Sequence, residues 1–186
     1  MRKIIKGDVN LANLHLTELF DLSDVEVTGY FNCNDNDLTS LAGSPKTVRG
    51  NFHCHTNHLT SLAGCPETVG GNFNCCDNHL TSLAGCPETV GFVFYCHLNQ
   101  LTSLAGAPKT VGDGFYCCDN HLTSLAGAPE TVNGRFDCSN NPLTSLAGIP
   151  RTISENFHIS EDLKDKFSEK YIRSLSKIAG KVVYYY

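Results

Sequence analysis

Hydrophobic and polar positions recur with a period of 21 residues along most of the chain. The phrase L-T-S-L begins at Leu38, Leu59, Leu80, Leu101, Leu122 and Leu143. Ahead of it, Cys33, Cys54, Cys75, Cys96, Cys117 and Cys138 each follow a Phe by two residues. Three residues beyond each Cys stands an Asn: Asn36, Asn57, Asn78, Asn99, Asn120 and Asn141. A fixed step of this length marks a solenoid, in which each unit is one coil stacked on the last.

Within a unit, F-x-C alternates apolar and polar positions, the mark of a short strand with one buried face. Stacked copies predict a parallel sheet with about 4.8 Å between rungs. The two leucines of L-T-S-L turn into the core. The Asn past the strand turns inward as well, where its amide satisfies backbone groups of neighbouring coils. Gly43 and its equivalents permit a positive-φ turn, and Pro45 and its equivalents stiffen the return. Val48 and its equivalents close the core before the next strand. The return is too short for an ordinary helix, so it is expected to be extended or 3₁₀-like.

Two degenerate coils flank the array. The first runs through Gly7–Leu11 and Leu16–Leu19, with Leu14 where the Asn would stand; Phe157-His158-Ile159 forms the last strand. This predicts eight strands, centred on residues 10, 32, 53, 74, 95, 116, 137 and 158. The period then changes: Leu163, Phe167, Tyr171, Ile172, Leu175 and Ile178 fall at helical spacing. Ser160 suits an N-cap, Glu161 and Asp162 a first turn, and Gly180 a stop. A helix there would seal the end of the core, as solenoid caps must. The apolar tail Lys181–Tyr186 would pack, as an extra strand. The chain divides into a degenerate first coil (1–28), the repeats (29–159) and a capping helix with tail (160–186), all one structural domain.

The pattern F-x-C-x-x-N-x-L resembles the leucine-rich repeat, with Phe and Cys replacing two leucines. The pieces N-x-L-T-S-L and x-P are similar to short repeats of bacterial effector proteins of that family. The phrase L-T-S-L-x-G-x-P is similar to arrays in phage and other viral genomes. The resemblance covers about residues 7–159. It implies a mostly β member of the α/β repeat solenoids: a right-handed, leucine-rich-repeat-like coil whose concave sheet binds other macromolecules. It also implies an infection-stage viral protein acting on a host protein in a bacterial cytoplasm.

Charge narrows the partners. A formal net charge of -5 with scattered Lys and Arg argues against nucleic acid, whose phosphates select for basic stripes. There is no apolar run of about 18 residues, so no membrane span is expected. The opening Met1–Asp8 is basic but lacks a long apolar core, so no signal peptide is expected. Six of the ten cysteines occupy one repeat position beside a Phe, where a small buried hydrophobe belongs. They read as reduced thiols of a cytoplasmic protein. Cys65 and Cys86, before the return prolines, sit close enough in coil order to cross-link in oxidising buffer.

Differences between copies carry what the scaffold does not. The middle coil has Phe92-Val93 where earlier coils have Gly50-Asn51 and Gly71-Asn72. It adds Tyr95 and Leu98, and Tyr116 lies one rung on. An apolar cluster of Phe92, Val93, Tyr95, Leu98 and Tyr116, with His53, His55, His97 and Asp137 around it, has the composition of an interface hot spot. The alternative is local repacking, with Phe92 or Val93 turned inward. A second column, His55, Cys76, His97 and Cys118, offers soft metal ligands about 5 Å apart, but a straight column suits a tetrahedral ion poorly. Cys76 and Cys118 read as exposed and oxidisable. Asp35, Asp77 and Asp119 stand on alternate coils, roughly 10 Å apart, with no pocket indicated. Nothing marks a nucleophile with a base and an orienting group. The chain therefore reads as a non-enzymatic protein-binding module without a cofactor. Sequestration of a metal or small planar ligand, and homo-oligomerisation through the concave face or the tail, are the alternatives.

Overall fold

Each coil contributes two short strands rather than one. In the computed structural model, which describes residues 3–185, these build two nine-stranded parallel sheets. One sheet takes the Phe strands: Val9–Asn10, Phe31–Asn32, Phe52–His53, Phe73–Asn74, Phe94–Tyr95, Phe115–Tyr116, Phe136–Asp137, Phe157–Ser160 and finally Val182–Tyr185. The other takes Lys3–Ile5, Val25–Val27, Thr47–Val48, Thr68–Val69, Thr89–Val90, Thr110–Val111, Thr131–Val132, Thr152–Ile153 and Lys177–Ile178. The protein is thus a mostly β parallel solenoid of about nine turns with one short α-helix. The expected count of eight strands is corrected twice. The tail forms the extra strand expected of it, as a ninth rung of the Phe sheet that the count of eight left out, and the Thr-Val segment, expected only to fill the core, pairs with its own copies. β-branched Thr and Val favour that outcome, because they fit a pleated, half-buried surface.

Register is strict. Phe94 pairs with Phe73 and Phe115, and Tyr95 with Asn74 and Tyr116. Each apolar column therefore stacks on itself. From Phe31 to Phe157 the rings stack at 5.2–5.9 Å between centroids. The Phe, Val, Leu and Cys columns are buried along the repeats. Each buried Phe contributes about 1.5–3 kcal/mol by area, with more from ring stacking. The return from L-T-S-L to the proline has no regular structure. Its Gly turns at positive φ, 90° at Gly43, a conformation that Cβ-bearing residues resist.

The Asn column closes the core beside the strand. Asn78 Oδ1 accepts from the Leu59 N–H of the preceding coil at 3.0 Å. Its Nδ2 donates to the carbonyls of Cys54, Cys75 and Cys76 at 3.1–3.2 Å. Asn57, Asn99, Asn120 and Asn141 make the equivalent bonds. In the first coil Leu14 does not take this inward place. It is 55% exposed, and its N–H donates to Asn36 of the next coil.

The expected helix from Ser160 to Gly180 is the largest correction. Ser160 ends a Phe-sheet strand, and Glu161–Leu163 is a 3₁₀ turn without a side-chain cap. The α-helix, α1, is Glu169–Leu175, capped by Ser168, whose Oγ accepts from the Tyr171 N–H. Ile178 lies in the second sheet, and Tyr171 and Leu175 are exposed. The segment completes a further coil. Ile178 precedes Val182 by four residues, as Val48 precedes Phe52, so both tail strands extend existing sheets. The helix replaces only the return, and buried Phe167 and Ile172 cover the end of the core. The tail residue Tyr186, like Met1 and Arg2, lies outside the described residues.

Replacing Asn78 by Ala leaves the Leu59 N–H buried without a partner and takes one donor from each of the Cys54, Cys75 and Cys76 carbonyls. It is expected to lower stability by about 2–4 kcal/mol. Urea unfolding followed by circular dichroism measures this; a loss below about 1 kcal/mol would show that the ladder is dispensable.

Candidate functional site

Side chains between the Phe and Cys positions point away from the core, and the middle coil makes that outer face unusual. Phe94 and Cys96 are fully buried, so Val93, Tyr95 and His97 project outward, each half-buried. Phe92, at the corner between the sheets, is 58% exposed. Leu98, in the turn beyond the strand, is 50% exposed. Neither Phe92 nor Val93 repacks inward. One coil thus lays an apolar stripe, Phe92-Val93-Tyr95-Leu98, across the whole face. Tyr116 joins it from the next coil, its ring stacked on Tyr95 at 5.0 Å.

Tyr116 depends on Gly114. A Cβ there would stand 2.8 Å from the Tyr116 ring, so the ring occupies space a side chain would fill. Arg135 lies over the other side of Tyr116 at 5.3 Å and over Tyr185 at 5.7 Å. Tyr185 stacks on His158 at 4.9 Å, and His97 meets Tyr95 edge-on at 6.0 Å. A continuous row, His97–Tyr95–Tyr116–Arg135–Tyr185–His158, therefore runs toward the C-terminal end. Arg135 and Tyr185 are missing from the residues expected from sequence. Arg135 is the sole base of its column within the repeats, and Tyr185 joins the face only because the tail forms a ninth rung.

The sequence candidates divide accordingly. Phe92, Val93, Tyr95, His97, Leu98 and Tyr116 come together. His53 and His55 form an edge-on pair two coils away, at 6.1 Å. Asp137 does not belong with them as a contact residue. It is 4% exposed, ion-paired to Arg135 at 2.5 Å, and accepts from the Ser139 hydroxyl at 2.6 Å. Its role is to hold Arg135 over the tyrosines.

The column His55, Cys76, His97 and Cys118 does occupy one position of successive coils. Among the described residues, however, no three His, Cys, Asp or Glu side chains are grouped closely enough to hold a metal ion. Burial also pushes the Cys76 thiol up to about 11 and Cys118 higher still, the nearby carboxylates adding to it. Both are half-buried, so the expectation of exposed, oxidisable thiols is corrected: they are protonated and unreactive near neutrality. Burial raises Cys65 to about 12 and raises Cys86 strongly; all ten cysteines are free. The Cys65 thiol donates to the Gly85 carbonyl at 2.8 Å.

Two clefts border the face. One of about 640 Å³ opens beside Tyr185, lined by Asn140, Pro142, Ser160, Glu161 and Asp162 among others. The other, about 350 Å³, holds Asp35 and Asp77 with His58 and His79, so these carboxylates do line a cleft, contrary to expectation. There Asp37 lies 3.6 Å from His15 and 3.7 Å from His58. In this second cleft the Thr56 hydroxyl lies 3.2 Å from His55 Nδ1 and donates to Asp77 Oδ2 at 3.4 Å.

Comparison of the chain with protein-family models, with curated proteins and with solved structures finds no match. Among the described residues no helix is long and apolar enough to cross a membrane.

Leu98 is also the one aliphatic residue in a column of left-handed turns. Its φ is 54°, matching Asp35, Thr56, Asp77, Asp119 and Asn140 in the same place. Asn and Asp tolerate that conformation, whereas a Leu pays about 1–2 kcal/mol for it. Leu98→Asn is therefore expected to stabilise the protein by about 0.5–1 kcal/mol. Chemical denaturation measures this; a destabilised variant would show that Leu98 packs rather than strains.

Burial lowers the pKa of His53, His55, His97 and His158, with Arg135 adding to the effect at His158. A depressed folded-state pKa gives stability that is present above about 6.5, the unfolded value, and lost as pH falls through the folded pKa. Melting temperature should therefore drop between pH 7.5 and 5, and less so in His158→Gln. An NMR titration with imidazole midpoints above 6.5 would contradict this.

Proposed function

We propose that the protein is a non-enzymatic binding module that engages another protein through the outer face of the Phe sheet. The observation that carries this reading is the single exposed stripe Phe92-Val93-Tyr95-Leu98, stacked against Tyr116, on an otherwise polar face. Exposed aromatic anchors ringed by polar groups are what interface hot spots are built from. A strained Leu98 adds to it, because strain kept at an exposed position stabilises nothing in the fold itself.

The motif resemblance supplies the rest of the proposal. The coil is right-handed and leucine-rich-repeat-like, and this sheet face is its concave side. The protein is viral, acts in the cytoplasm of a bacterial host, and inhibits a host protein by occlusion. The Asn ladder and the short F-x-C strand support that kinship. A second reading has one observation in its favour. The Tyr116–Arg135–Tyr185 row beside the cleft of about 640 Å³ suits a small planar ligand.

The test is affinity capture from bacterial lysate under reducing conditions, with the Tyr95→Ala, Tyr116→Ala double variant as control. A single host protein retained by the native chain and lost from the variant is expected. Equal retention by both would rule out the face. Light scattering on the same preparation separates self-association from capture.

A further inference from the structure

The two sides of the solenoid carry different charge. Bases of the repeats gather beside the Thr-Val strands, where they meet acids of adjacent coils. Lys46 pairs with Glu67 at 3.4 Å, Lys109 with Glu88 at 2.7 Å, and Arg151 with Glu130 at 4.0 Å. Arg49 pairs with Glu26. The Phe-sheet side has one base within the repeats, Arg135, and Asp137 already holds it. Within the repeats its other carboxylates are without a Lys or Arg among the described residues, and three of them frame the apolar stripe. Asp77 and Asp119 occupy the coils on either side of Leu98, in the same turn position. Asp113 occupies the corner next to Phe92, its N–H donating to the Phe92 carbonyl. His97 does not offset this charge, because burial keeps it neutral near pH 7.

We propose that this face takes a cationic polypeptide segment: an apolar side chain seated on the Phe92–Leu98 stripe, flanked by Lys or Arg paired with Asp77 and Asp119. This rests on the binding reading above and adds the chemistry of the partner. Two rungs separate Asp77 from Asp119, roughly 10 Å. An extended segment lying along the solenoid axis turns every second side chain to the face, at a spacing of about 6.6 Å. The flanking bases therefore stand four positions apart with the apolar anchor midway, and their long flexible stems take up the difference of about 3 Å. Opposite charges at the rim steer association and set register, while the desolvated stripe supplies most of the affinity. An acidic segment is repelled by the same carboxylates, so the surface selects by sign as well as by shape.

The test selects a random peptide library on the purified protein and measures the enriched peptides by fluorescence anisotropy. Expected are apolar residues flanked on both sides, two positions away, by Lys or Arg. Binding should weaken with added salt, and by about tenfold in the Asp77→Asn, Asp119→Asn double variant. Circular dichroism checks that this variant is folded, and the salt dependence of the native chain needs no variant. Enriched peptides that are neutral or acidic, yet lost from the Tyr95→Ala, Tyr116→Ala variant, would overturn the charge inference and leave the face reading intact. Basic peptides indifferent to both double variants would overturn both, as would the absence of any enrichment.

Discussion

The solenoid depends on how it pays the backbone at the turn beyond each Phe strand. There the chain turns toward the core, and although backbone bonds between coils continue through the turn, the Cys carbonyls and Leu N–H groups beside it have no backbone partner. A buried, unpartnered N–H or carbonyl costs about 1–3 kcal/mol, and each turn would leave several. One inward Asn amide per coil satisfies them, accepting from one coil and donating to both. The bond from each Asn to the preceding coil fixes the stagger, so the Phe, Cys and Val columns fall into line. The left-handed residue just before the Asn is what aims it inward. That residue's side chain is consequently thrown outward, which is why a turn forced by the core also decorates the surface.

Much of this is legible in the sequence, for a physical reason. Burial on a repeating coil admits few residue types, so Phe31, Cys33, Asn36 and Leu38 reappear almost unchanged in later coils. The second sheet is not legible in the same way. A Thr-Val pair is too short to show alternation, and only stacking with its copies makes it a strand. The C-terminal helix misleads because Leu163, Tyr171, Leu175 and Ile178 match helical spacing while the chain is in fact closing another coil. The four-residue step from Ile178 to Val182 is the signal that identifies it.

The surface is legible only in outline. Phe92, Val93, Tyr95 and Leu98 stand out because they break the columns of their neighbours. Arg135 and Tyr185 do not, since their contact with Tyr116 needs a rung supplied from beyond the repeats. Asp137 looks like any outward strand residue until its neighbours are placed; its burial follows from Arg135 on one side and Ser139 on the other. The distinction between a residue that meets a partner and one that positions another lies in three-dimensional neighbours, which a column alignment does not contain.

The two ends of the stack are unlike. Ile5, Val9, Leu11 and Leu16 of the first coil are only partly covered, whereas Phe167 and Ile172 close the far end. A stack held by nearest-neighbour contacts loosens from its weaker terminus. Fraying under heat or tension therefore starts at the N-terminal rung and advances coil by coil. The stripe at the middle outlasts the first turns, so the molecule can lose part of its length before it loses its distinctive surface.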